Sequence, residues 1–167
     1  MKNTKRRFDN KKLGMLRAVK CFAVVLIVVV LLFIFVIGVS RVSGSSMFPT
    51  VKDGRAAVYY RLSRNYSRGD IISVRMPSGE YLIKRVVAVK GDTVDIRDGA
   101  LYVNDFRETA GYVNGETNVQ NDDITYPLTL RDGQYFVMGD NREVSIDSRT
   151  FGPVVISQTR GRILFFI

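Results

Sequence analysis

A mainly β fold, an antiparallel domain carrying a small inserted lobe and preceded by one membrane-spanning helix, is what this sequence predicts. Three observations predict it. Cys21 to Ser40 is a run of 20 residues without a charge. Beyond it, short segments rich in Val, Ile, Tyr and Thr recur between Gly, Asp, Asn and Pro, the pattern of strands and turns. No stretch after residue 40 keeps a helical period over a useful length.

The elements follow in order. Residues 1–20 form a basic arm, with eight Lys or Arg (Lys2, Lys5, Arg6, Arg7, Lys11, Lys12, Arg17, Lys20) against Asp9. The formal charge of +9 is concentrated there, because the other 147 positions hold 17 basic and 15 acidic residues. A nucleic-acid-binding domain is disfavoured, since it would need its positive charge spread over the folded face that meets phosphates. Residues 21–40 span about 30 Å as a helix, the thickness of a bilayer's hydrocarbon. Positive charge before this helix and only Arg41 directly after it place residues 1–20 in the cytoplasm and 41–167 outside. A cleaved signal peptide is the competing reading, supported by the small residues in Gly38-Val39-Ser40. The apolar run exceeds the usual signal-peptide length, which favours a retained anchor.

In the outer domain, strands are expected over 57–62, 70–75, 81–90, 93–97, 100–103, 126–130, 134–138, 153–156 and 159–166. Asp98-Gly99 is a tight hairpin signal, and Asp132-Gly133 is a second candidate. The polar stretch 104–125 reads as the small inserted lobe between core strands.

The chemistry is bounded by what the chain lacks. It has no histidine and one cysteine, so Ser-His-Asp and Cys-His arrangements, His-ligated zinc and an internal disulfide are excluded. No metal site and no cofactor are expected. Three segments are candidates for chemistry. Ser43-Gly44-Ser45-Ser46-Met47-Phe48-Pro49-Thr50 reads on composition as a Ser/Gly linker, yet Met47, Phe48 and Pro49 give its second half the character of an ordered turn. At such a turn, Ser46 would present its hydroxyl and its backbone N–H to a substrate carbonyl. Lys84 lies in Tyr81-Leu82-Ile83-Lys84-Arg85-Val86-Val87-Ala88, an apolar strand on both faces. It is either a solvated edge lysine or a buried one, and burial is how a lysine becomes a base. Gly139-Asp140-Asn141-Arg142-Glu143-Val144-Ser145-Ile146-Asp147-Ser148-Arg149 is either a polar surface turn or a buried hydrogen-bonded frame.

Taken in order, Ser-Met-Phe-Pro after a membrane helix, Arg68-Gly69-Asp70, Lys84-Arg85-Val86-Val87 with Gly91-Asp92, and Gly139-Asp140-Asn141-Arg142 through Ser145, Asp147-Ser148-Arg149 and Gly152 resemble bacterial type I signal peptidase. The resemblance covers most of residues 20–167. It implies a signal-peptidase-like catalytic domain over 41–167, held by a single span in the bacterial cell membrane. The implied activity is that of a serine endopeptidase that removes signal peptides from exported preproteins through a Ser/Lys dyad. By position it makes Ser46 the nucleophile and Lys84 the general base. Ser145 becomes the serine that hydrogen-bonds and orients the lysine, and Asp147, Arg149, Arg85 and Asp140 the supporting salt-bridge frame. The backbone N–H of Ser46 is the implied oxyanion donor. Gly44, where Gram-negative members carry a serine, resembles the Gram-positive form; only 54 residues separate Lys84 from Gly139, as in the short Gram-positive members. Gly44, Met47 and Pro49 are assigned to substrate contact. The implied partners are preprotein signal peptides and the lipid bilayer, without nucleic acid. The alternative is a non-cleaving assembly factor of the same fold for surface or pilus proteins. A self-cleaving Ser/Lys repressor is disfavoured by the membrane helix.

Overall fold

The computed structural model describes residues 2–63 and 65–167, with side chains described from Gly14 onward, Arg64 apart. The basic side chains of the arm through Lys12 therefore lie outside the described residues. Helix α1 runs Lys2–Val36 and includes an apolar span, Gly14–Val36, of 23 residues. At the α-helical rise that span is about 35 Å long, sufficient to cross a bilayer.

The helix expected to reach residue 40 stops at Val36, and Ile37–Arg41 forms strand β1. The reason lies in what these residues meet. β1 is the edge neighbour of β2 (Ala56–Tyr60). Its pairing is continued where Val42 N–H donates to Arg55 O at 2.8 Å and Gly54 N–H to Val42 O at 3.0 Å. Gly38 lies against the ring of Tyr59, where any Cβ would collide with the aromatic carbons. A glycine that weakens a helix is here what lets two strands close on a ring.

Residues 38–167 form one compact unit. The remaining strands are β3 (Ile71–Arg75), β4 (Tyr81–Ala88), β5 (Thr93–Arg97), β6 (Ala100–Val103), β7 (Phe106–Arg107), β8 (Leu128–Thr129), β9 (Gln134–Met138), β10 (Val154–Val155) and β11 (Thr159–Phe166). They build a seven-stranded sheet, β1-β2-β11-β3-β4-β9-β10, and a four-stranded sheet, β7-β6-β5-β8. The pairings from β2 onward are antiparallel. A single helical turn, α2 (Ser148–Phe151), interrupts the β pattern; Asp147 caps it by accepting the Arg149 N–H.

Among the described residues the core has three apolar clusters. Val87, Ala88, Val94, Leu101, Phe136 and Met138 join the two sheets. Ile72, Val74, Val86, Val137 and Val154 fill a second, and Val42, Met47, Val51, Ala57, Tyr59, Ile83 and Ile163 a third. The third sits beneath the Ser46 turn, so its packing fixes that turn in place.

Residues 104–125, read as an inserted lobe, are less separate than that reading implies. After β7 the chain runs without regular structure along the 140–150 segment. Asn114 N–H donates to Asp140 O at 2.8 Å, and Arg142 N–H donates to Asn114 O at 2.8 Å. Gln120 Nε2 reaches Ser145 O at 3.0 Å and Asn121 Nδ2 reaches Thr150 O at 2.9 Å. The polar composition that reads as a loose excursion supplies partners for a buried polar segment.

Candidate active site

Lys84 sits in the middle of β4, opposite Ile72 of β3, and Arg85 next to it lies opposite Met138 of β9. Neighbours on both sides put this strand inside the sheet, and Lys84 is 2% exposed. Burial penalises its charged form and draws its pKa from 10.5 down to about 8. The carboxylates of Asp147 and Asp140 pull it partly back up, while the Arg149 guanidinium pushes it down.

Ser46 is brought to this lysine by the turn that follows β1. Met47 and Val51, 1% and 3% exposed, anchor the turn from below, and Val51 N–H closes it on Met47 O at 2.9 Å. Asn141 holds it from the other side, its N–H donating to Ser46 O at 3.0 Å and its Nδ2 to Ser45 O at 3.3 Å. The result is Lys84 Nζ donating to Ser46 Oγ at 2.8 Å. With Nζ neutral, the same separation serves a hydroxyl that donates to the amine, which is the geometry a general base needs. The Ser46 N–H is not taken by any acceptor among the described residues.

The frame behind the pair is ionic and buried. Arg85 forks onto Asp140, Nε to Oδ1 at 2.8 Å and Nη2 to Oδ2 at 2.7 Å. Its Nη1 donates to Gly69 O at 2.9 Å. Thr50 Oγ1 donates to Asp140 Oδ2, tying the end of the Ser46 turn to the same carboxylate. Arg149 forks onto Asp147 with two bonds of 2.9 Å, and Asp147 Oδ2 also accepts the Gly139 N–H at 3.0 Å. Arg142, 1% exposed, donates to Gly139 O, Thr117 Oγ1 and, at 2.6 Å, Glu108 Oε2. Tyr112 donates to the other oxygen of Glu108 at 2.9 Å and lies under Arg85, whose guanidinium carbon is 3.9 Å from the ring centroid. Buried charges of this density persist because each has a geometric partner.

Ser145 is placed differently from what the resemblance implies. It is 1% exposed, but its Oγ has no hydrogen-bond partner, so no bond to Lys84 is made. It nonetheless stands beside the pair. A Cβ on Gly139 would collide with both Ser145 Oγ and Ser46 O, so this glycine allows the two serines to approach.

A cavity of about 110 Å³ opens beside Ser46. It is lined by Arg41-Val42-Ser43, by Ser46 and Met47, and by Glu80-Tyr81-Leu82-Ile83. Of the residues assigned to substrate contact, Met47 lines it, whereas Gly44 and Pro49 do not. Gly44 adopts φ of +90°, which favours glycine, and spends its N–H on Asp53 Oδ1 at 2.8 Å.

Sequence reasoning passed over Thr50, Glu108, Tyr112 and the clamping role of Asn141. Asn141 and Thr50 stood inside quoted motifs, whereas nothing local marked Glu108 or Tyr112. Among the described residues no group of His, Cys, Asp and Glu is arranged to hold a metal.

Residues 15–167 match the family model described as signal peptidase, peptidase S26. The chain is 31% identical over 157 residues to a signal peptidase I of Bacillus licheniformis, covering 87% of this chain and 84% of that protein. It is 34% identical over 157 residues to signal peptidase IB of Staphylococcus aureus, covering 81% and 82%. The crystal structure of a signal peptidase I from Enterococcus faecalis V583 matches with a TM-score of 0.50 and 32% identity, over 60% of this chain and 97% of that one.

Proposed function

The chain belongs to the peptidase S26 family of signal peptidases and is a membrane-anchored serine endopeptidase; from that premise we propose that Ser46 is its nucleophile and Lys84 its general base. The observation that carries the assignment is the 2.8 Å contact between Ser46 Oγ and a lysine whose burial lowers its pKa to about 8.

Neutral Lys84 takes the proton of Ser46 as Oγ attacks the scissile carbonyl. The oxyanion is held by the Ser46 N–H, an unspent donor at this turn. Lys84 then gives its proton to the leaving amine nitrogen as the C–N bond breaks, which leaves an ester on Ser46 and frees the mature chain. A water that loses its proton to Lys84 attacks the ester. Ser46 recovers its proton, and the signal peptide departs with a free carboxylate. Asp140–Arg85 and Asp147–Arg149 keep the two loops in register with β4, and Ser145 stands ready to receive or donate a hydrogen bond as Nζ changes protonation.

The substrate is the signal peptide of a preprotein, lying extended between Arg41-Val42-Ser43 and Glu80-Tyr81-Leu82-Ile83. The small cavity, walled by Val42, Met47, Leu82 and Ile83, supports a preference for small side chains just before the cut. The charge asymmetry about the apolar helix supports a cytoplasmic N-terminus and an extracytoplasmic catalytic domain in a bacterial membrane. The non-cleaving alternative is not favoured, because nucleophile and base are both present and in contact.

Incubation of wild type and Ser46→Ala with a model preprotein in detergent, read by mass spectrometry, tests the assignment. Wild type should cut once, after a small residue, and Ser46→Ala should fold and leave the preprotein intact. Cleavage by folded Ser46→Ala at the wild-type rate would remove Ser46 from the mechanism.

A further inference from the structure

Arg160 of β11 is a half-buried arginine for which the catalytic machinery has no use. Its guanidinium carbon lies 4.5 Å from the ring centroid of Tyr81 and 5.4 Å from that of Tyr59. Tyr59 is fully buried in the cluster that includes Val42, Met47 and Ile83, the apolar lining of the cavity beside Ser46. Tyr81 lines that cavity directly. Two aromatic faces therefore hold a cation directly behind Tyr81, a residue of the cavity lining. Aromatic faces engage the plane of a guanidinium and leave the N–H groups at its edge available. Arg160 makes no ion pair and no hydrogen bond among the described residues, unlike the buried arginines 85, 142 and 149.

The other charges nearby reinforce it. Arg41 and Glu80 both line the cavity and both are exposed. Arg75 is the cross-strand partner of Tyr81. Arg61 also lies over Tyr59, its guanidinium carbon 5.1 Å from the ring centroid, so with Arg160 this makes four arginines against one carboxylate. Strand geometry sets the distance to the cut. Tyr81 precedes Lys84 by three residues, about 10 Å along β4, and an extended peptide beside it advances by the same rise. The residue three to five positions before the scissile bond therefore comes alongside Tyr81 and Arg160.

We propose that Arg160 is a specificity-determining residue, its ring-held guanidinium receiving an acidic side chain of the substrate about four residues before the cut. The inference rests on the peptidase reading above. It assigns this position of the substrate a preference for Glu or Asp and a penalty for Lys or Arg.

A peptide series differing only at the fourth residue before the cut, as Glu, Gln or Lys, tests it with the full chain in detergent. Wild type should favour Glu over Lys in kcat/KM by about five- to tenfold at low salt, chiefly through KM, and by less at high salt. In Arg160→Gln the ratio should fall to within about twofold, while Arg160→Lys, which keeps the charge, should retain part of it. A wild-type ratio near one overturns the inference, as does an Arg160→Gln ratio equal to that of wild type. Should Arg160→Gln not fold, Arg160→Met takes its place, and a Glu/Lys ratio in that folded variant equal to that of wild type overturns the inference. Cleavage of the Gln peptide by wild type separates the two readings: if it is cut and the ratio is one, only Arg160 loses its role, whereas if it is not cut the peptidase assignment falls as well.

Discussion

The proton on Lys84 should govern both the rate and the stability of this enzyme, and it lowers each of them. Consider first the rate. With a pKa of about 8, the neutral lysine makes up about 1% of the population at pH 6, about 10% at pH 7, half at pH 8 and about 90% at pH 9. If neutral Lys84 is the base, kcat/KM for a fluorogenic signal-peptide substrate should rise about 90-fold from pH 6 to pH 9, with an inflection near 8. Stability follows from the same displacement. The unfolded lysine titrates at its ordinary 10.5 and the folded one at about 8. Below pH 8 both states are protonated and the fold carries the full cost of a buried charge, about 3 kcal/mol. Between 8 and 10.5 the unfolded state binds more protons than the folded one, so the cost is progressively relieved as pH rises. Lys84→Met keeps the volume and drops the charge. It should be inactive, and at pH 7 more stable than wild type by about 2 kcal/mol once the lost bond to Ser46 is allowed for. The gap should close by pH 10. Urea unfolding of both full chains in detergent, followed by far-ultraviolet circular dichroism at pH 7, 8.5 and 10, measures it. A rate profile flat from pH 6 to 9 with chemistry rate-limiting refutes the argument, and so does a Met/Lys stability gap that stays constant or widens with pH.

Three further outcomes are expected. Ser145→Ala removes a buried hydroxyl that has no partner, so stability should stay within about 1 kcal/mol of wild type while kcat falls; an unchanged kcat would deny Ser145 any part in positioning Lys84. Glu108→Ala strands the guanidinium of Arg142 in a buried site and should cost about 3 kcal/mol in chemical denaturation, with Glu108→Gln losing less; a loss under about 1 kcal/mol would show that Arg142 finds another acceptor. Gly139→Ala places a methyl group on Ser145 Oγ and Ser46 O and should reduce kcat by more than about 100-fold through displacement of the nucleophile, and wild-type turnover in this variant would contradict the packing described.

What the sequence by itself determined is what local chemistry controls. A charge-free run of apolar residues has one low-energy home, so the helix was legible, as were the strands, whose β-branched runs end at Gly and Asp turns. Ser46, Lys84 and the 139–149 segment were legible as an ordered set, because residue types and their order along the chain survive without coordinates. Tertiary structure decided the rest. Nothing in Gly38-Val39-Ser40-Arg41 distinguishes a helix end from a strand; the ring of Tyr59 and the edge of β2 make it a strand. Whether Lys84 is a surface cation or a base depends on neighbours in β3 and β9 that are distant in sequence, and desolvation is a property of the assembled sheet. Glu108 and Tyr112 became part of the site only when 104–125 folded along the 140–150 segment, since an isolated Glu in a polar stretch carries no sign of the buried arginine it will meet. Arg160 likewise looks like any strand arginine until two tyrosines from different strands close on it behind the cavity lining.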